Sequence, residues 1–286
     1  MKSTSILTLL GLTTTLTTVA LAADKEESWI DKAISPVANP LFFESPFIQS
    51  EVRPIFAYHQ IDDSFIGGYA RVYAVQLRYA INDRLAIIAT KDGYIQLRPN
   101  VPGLDGEGWA DLAAGVKYAI IDDRENAAIL TAGLKFEIPT GENDVFQNNG
   151  DGEFDIFVSG AKGYGNFHLS ASAGFRLPID MNAENAFLHY SVMLDYYTCK
   201  WFIPFVGING MTCLTEASNT PFNVEGFDII NFGASNAGGF NQIVFATGFR
   251  SRVTEWGDLG FAYETCMTSP KGIFDYRFTT DFIIRF

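Results

Sequence analysis

The chain has 286 residues, 48% of them hydrophobic and 14% aromatic, with 26 glycines and a formal charge of −13. That acidity excludes a nucleic-acid partner, whose phosphates demand a basic face. Three cysteines, Cys199, Cys213 and Cys266, are too sparse for a disulfide-stapled scaffold. No stretch beyond the leader approaches the roughly 18 uninterrupted apolar residues of a spanning helix.

Residues 1–22 read as a secretion signal. Lys2 supplies the positive start, 6–21 is apolar and threonine-rich, and Ala20-Leu21-Ala22 is a small-residue cleavage site. Asp24-Lys25-Glu26-Glu27 follows at once, so the stretch is not continued as an anchor.

Residues 23–51 show no alternation. Trp29, Leu41-Phe42-Phe43, Phe47 and three prolines make this segment neither a strand nor a polar tail.

From residue 52 to the end, alternating stretches recur between turns. The clearest are 110–121, 128–138, 167–178, 186–198, 259–267 and 274–286. In 167–177 one face holds Phe167, Leu169, Ala171, Ala173, Phe175 and Leu177, and the other His168, Ser170, Ser172, Gly174 and Arg176. The period is 2, not 3.6. Strands of roughly ten residues match a tilted bilayer crossing, where soluble strands average about five or six. The last strand alternates to its end and stops on Phe286, the aromatic terminus that insertion of an exported barrel needs. The chain is therefore predicted to be all-β, a transmembrane antiparallel β-barrel of the outer membrane over 52–286.

Connection lengths alternate too. Short turns fall at 82–84, 122–126, 165–166, 199–200 and 254–257, and longer loops at 61–68, 92–107, 139–152, 179–185, 212–239 and 268–272. Barrels of this kind put short turns in the periplasm and long loops outside. Keeping 227–234 within its loop gives twelve strands with both ends periplasmic; a hairpin at 226–239 would give fourteen. Three placements of 23–51 stay open: a plug in the lumen, a cover under the periplasmic rim, or an ordered lead-in to the first strand.

Strand charges share one parity, which is read as lumen-facing: Arg78, Asp111, Lys117, Lys135, Glu137, Glu153, Asp155, Arg176, Asp195, Arg250, Glu264, Arg277, Asp281 and Arg285. Facing lipid near the midplane, such groups would cost roughly 2–4 kcal/mol each. Mixed signs argue against a wall tuned for anions or cations. The external loops hold thirteen carboxylates (Asp62, Asp63, Asp92, Asp105, Glu107, Glu142, Asp144, Asp151, Asp180, Glu184, Glu216, Glu225, Asp228) against Arg98 and Lys271. That balance predicts a mouth that repels anions. The stretch 142–153 has oxygen ligands of the kind calcium prefers, without the full spacing of a calcium loop; turn chemistry accounts for it, and no metal site or cofactor is predicted. Trp201-Phe202-Ile203-Pro204-Phe205-Val206 is apolar on both parities, which suits a narrow or plugged barrel rather than a wide aqueous pore.

Cys213 and Cys266 both fall near the external rim, so a bridge between them is one geometric option, while Cys199 lies roughly 30 Å away. His168, Ser170 and Asp195 could form a hydrolytic group on adjacent strands. The His-x-Ser spacing resembles that of outer-membrane phospholipase A, but no Asn-Gly follows the serine and the group faces the lumen. The chain is read as not an enzyme.

Gly108-Trp109-Ala110-Asp111-Leu112, then Lys135-Phe136-Glu137-Ile138-Pro139-Thr140-Gly141, then Phe154-Asp155-Ile156, together with the ending Phe274-Asp275-Tyr276-Arg277-Phe278, resemble the outer-membrane family named for the meta-pathway of phenol degradation. The resemblance covers most of 52–286. It implies a channel taking up aromatic or other hydrophobic compounds, with no catalytic residues. Expected partners are outer-membrane lipids, the barrel-assembly machinery and a small-molecule solute; monomer and trimer both remain open. A second reading is a non-conducting surface barrel whose acidic loops bind cations, lipid headgroups or a protein.

Overall fold

The computed structural model describes residues 28–286, and the secretion signal read at 1–22 lies outside the described residues. A one-turn helix α1 (Trp29–Lys32) begins the described chain. The strands of its first half are β1 (Glu51–Gln60), β2 (Tyr69–Ala80), β3 (Leu85–Lys91), β4 (Tyr94–Arg98), β5 (Gly106–Trp109), β6 (Leu112–Asp123) and β7 (Ala128–Ile138). Then come β8 (Glu153–Tyr164), β9 (Phe167–Pro178), β10 (Phe187–Tyr196), β11 (Ile203–Cys213), β12 (Asn241–Arg252), β13 (Gly257–Cys266) and β14 (Tyr276–Arg285).

Neighbours pair antiparallel around the wall, and β1 pairs with both β2 and β14, which closes the barrel. The barrel has twelve strands because two of its staves are each made of two pieces. β4 continues β3 along β2, and β5 runs into β6. This differs from the expectation that 92–107 is all loop: 94–98 and 106–109 form a hairpin that extends the wall on the long-loop side. The break between β3 and β4 falls at Asp92-Gly93. Gly93 has φ +111, and a Cβ there would lie 2.4 Å from the Tyr73 carbonyl, so glycine is required. No fourteen-strand arrangement arises from 226–239, where Thr220 and Ala234 make a single isolated bridge.

Alternation decides which way each side chain points. Leu77, Val116, Ile156, Val192 and Phe278 face outward and are exposed, while their neighbours Arg78, Lys117, Asp155, Ser191 and Arg277 are buried. Tyr164, Phe167, Trp201, Phe202 and Trp256 stand exposed at the short-turn end, the position of an interfacial aromatic girdle.

Candidate functional site

The interior is a network of paired charges. Arg53 and Arg250 share Asp281, with Arg250 Nη1 at 2.8 Å. Lys135 Nζ lies 2.7 Å from Asp155, and Arg277 lies 2.8 Å from Glu264. Arg176 pairs with Glu153, and Lys91 with Glu137. His168 Nδ1 is 2.6 Å from Asp195, and His189 Nε2 is 2.8 Å from Asp155. Asp111 accepts from the Gly141 and Asn148 amides, at 2.8 and 3.0 Å, and so ties the 139–152 loop to the wall. Arg285 stands apart: it sits at the short-turn rim, bonded to Asp258, with 29% of its side chain exposed. Paired in this way, the mixed signs are satisfied locally instead of forming one field across the lumen.

Residues 33–47 lie inside the barrel. Asn39, at φ +48, turns the chain back on itself, and the Phe43 amide donates to its carbonyl at 2.9 Å. The segment enters and leaves at the short-turn end. It has no ladder of its own, so the wall satisfies its backbone. Arg53 donates to the Pro36 carbonyl (2.6 Å), Arg252 to Ala33 (2.9 Å), Lys135 to Leu41 (2.8 Å), Gln76 to Pro40 (2.7 Å) and Thr131 to Pro46 (2.7 Å). Its apolar side chains Ile34, Val37, Ala38 and Phe43 pack on Met193, Ile203, Phe205, Ala246 and Ala262. This explains why the strand around 201–206 carries apolar residues on both parities: Ile203 and Phe205 face the segment, while Trp201, Phe202 and Val206 face outward.

Glu44 is the one charge between Lys32 and Glu51. Arg78 grips its carboxylate with Nε at 2.8 Å and Nη2 at 2.7 Å, and Lys117 Nζ reaches it at 2.8 Å. Alternation does not reveal Glu44, Glu51 or Arg53. Glu44 sits in a segment without period, and Pro54 blurs the start of β1, leaving only Glu44's isolation among aromatic residues as a signal.

The long-loop end is closed as well. The 214–240 connection folds inward, Asp228 pairing with Arg277 at 2.6 Å and the Phe227 carbonyl accepting from Arg176 at 2.8 Å. Buried Glu225 holds this loop by accepting from the amides of Phe232 (2.9 Å) and Ala234 (2.7 Å). Phe65, Phe146, Phe222 and Phe232 meet above it. Asp62, Glu184, Glu225 and Asp228 are buried, so the negative mouth expected from the loops is weaker than their composition implies.

Between these two obstructions the space is small. Cavities there measure about 10, 20 and 50 Å³, where about 10–15 Å³ is enough for one water. The largest of these is lined mainly by apolar residues, Leu41, Ile55, Val72, Ile95 and Ile229 among them, together with Gln76, Lys91, Asp92 and Arg277. At the short-turn end a vestibule of about 580 Å³ opens beside Asp31, Lys200 and Arg252. A notch of about 420 Å³ lies at the strand break, among exposed Tyr73, Val75, Trp109 and Leu112. Ala74, Asp92 and Ala110 border both this outer notch and the 50 Å³ inner cavity.

One sequence reading changes. Cys213 and Cys266 are free thiols, bonded to the carbonyls of Thr215 and Thr268, and do not form the bridge that their shared rim allowed. β12 lies between their strands, which puts them about two strand spacings, roughly 9–10 Å, apart, beyond disulfide reach. The His168–Asp195 pair forms, while Ser170 Oγ and His168 Nε2 each lack a hydrogen-bond partner among the described residues.

No protein-family model and no curated protein matches the chain. Among solved structures, it is similar to an outer membrane channel from Pseudomonas putida F1, with 14% identity, a TM-score of 0.66, and 89% of this chain and 100% of that one covered. The NanC porin matches with 7% identity and a TM-score of 0.52, over 83% of this chain and 100% of that one. The translocator domain of the autotransporter NalP from Neisseria meningitidis matches with 11% identity and a TM-score of 0.51, over 87% and 92%. The fold is that of an outer-membrane β-barrel.

Proposed function

We propose that this protein is an outer-membrane channel for passive uptake of small apolar or aromatic molecules, closed at rest by its own residues 28–50. One observation carries the reading: the lumen is filled by a segment that belongs to no strand, and its part inside the barrel, 33–47, is fastened to the wall through side chains. The resemblance to the family named for phenol degradation supports an aromatic cargo. So do the apolar lining of the central cavity and the thin partition of Ala74, Asp92 and Ala110 between it and the outer notch. An apolar solute held there would stand beside the lipid it favours.

The test is planar-bilayer conductance. Wild-type protein is expected to show rare, brief events, and a chain lacking residues 24–50 large and sustained ones. Silence from both across a range of voltages would sink the channel and leave the non-conducting surface barrel.

A further inference from the structure

Apart from Arg252, which bonds the Ala33 carbonyl, the other lumen cations described above have carboxylate partners in the wall itself. Lys117 does not. Fully buried on β6, it has Glu44 as its ion-pair partner among the described residues, and its remaining bond is to the Ser45 carbonyl at 2.7 Å. Arg78 on β2 has Glu51 at 3.0 Å but turns its fork, Nε and Nη2, to Glu44. The two strands flank β3, where the inward residues beside them are Ala86 and Ile88, both fully buried. A small Ala86 lets the two cations converge, and Ile88 gives them an apolar floor. A planar fork, a point cation and an apolar floor recognise a carboxylate attached to a hydrophobic body.

We infer that Arg78 and Lys117 form a solute-binding site for small apolar monocarboxylates, that Glu44 occupies it as a tethered stand-in, and that such a solute loosens the N-terminal segment by taking Glu44's place. This rests on the channel reading and names the cargo. The exchange replaces one carboxylate by another, so the buried cations never lose their counter-charge and the barrier of exposing them is avoided. Tethering gives Glu44 an effective concentration on the order of millimolar or higher, so the free solute binds weakly. Weak binding suits a passage that must also release what it holds.

The experiment uses purified full-length Glu44→Ala protein in detergent, with para-fluorobenzoate followed by fluorine NMR. Saturable binding is expected, with none for para-fluorobenzamide. Adding Lys117→Met should weaken binding about ten- to hundredfold, the loss of one charge-assisted hydrogen bond. Equal binding of the amide, no effect of Lys117→Met, or displacement by chloride or inorganic phosphate at matched ionic strength would each overturn the assignment. Should Glu44→Ala fail to fold, Glu44→Gln, which keeps the side-chain length, is titrated in its place against the same criteria. Wild-type conductance gives an independent arm: benzoate at constant ionic strength should raise opening and benzamide should not. Channels that open on removal of 24–50 yet ignore benzoate would leave the channel standing and remove the carboxylate site.

Discussion

A buried charge is stable only while its partner stays, and the interior of this barrel applies that rule residue by residue. Glu184 is the case outside the spanning strands, in the connection between β9 and β10. Burial, against the pull of Arg176 and with the push of Glu137, raises its carboxyl to about 7. The folded protein therefore keeps a proton there that the unfolded chain gives up near the ordinary 4.5, and stability falls as pH rises through that window. Glu184→Gln should remove this part of the pH dependence, so that thermal unfolding at about pH 5 and about pH 8 differs less than in wild type. The parity of the strands made Arg78 and Lys117 legible as inward residues. It left their shared partner invisible, because Glu44 belongs to a segment that no periodicity describes.

At the scale of elements, the segment at 33–47 and the strands answer to different forces. The strands hold one another through backbone ladders, while the segment depends on side chains and on Phe43 lying against Ile203 and Phe205. Phe43→Ala should cost about 3–5 kcal/mol of local docking energy and leave the barrel ladder untouched. Hydrogen exchange should then speed up across 33–47 and remain slow in the strands; uniform protection would argue that the segment is part of the core. The aromatic composition of 23–51 marked it as buried somewhere without saying where, since packing partners two hundred residues away leave no local trace. The β4–β5 hairpin was hidden for a related reason. Its pieces are too short to show a period, and they are strands because β2 extends far enough to pair with them.

At the scale of the molecule, the outward surface sets the solvent. Val158 faces out from the middle of β8 and is 48% exposed, and its neighbour Ser159 faces in and is buried. Val158→Arg should lower folding stability in lipid vesicles by about 2–4 kcal/mol, as measured by denaturant titration. An effect within error would mean that this face does not meet lipid. The closed architecture was readable because a barrel wall is the simplest pattern a chain can carry, two faces alternating between regular turns. The filling of the lumen was not, because contacts such as Asn39 to Glu264 join residues 225 apart in sequence.

That separation has a consequence in time. β1 directly follows the inserted segment and closes the barrel only by meeting β14, the last strand made. Contacts that span nearly the whole chain form late, because the loop they close is the longest available. The segment's hold on Glu264 and the seam between β1 and β14 thus belong to the same final stage of assembly. Arg78 meets Glu51 already within the β1–β2 hairpin, whereas Lys117 waits for Glu44, 73 residues away in sequence.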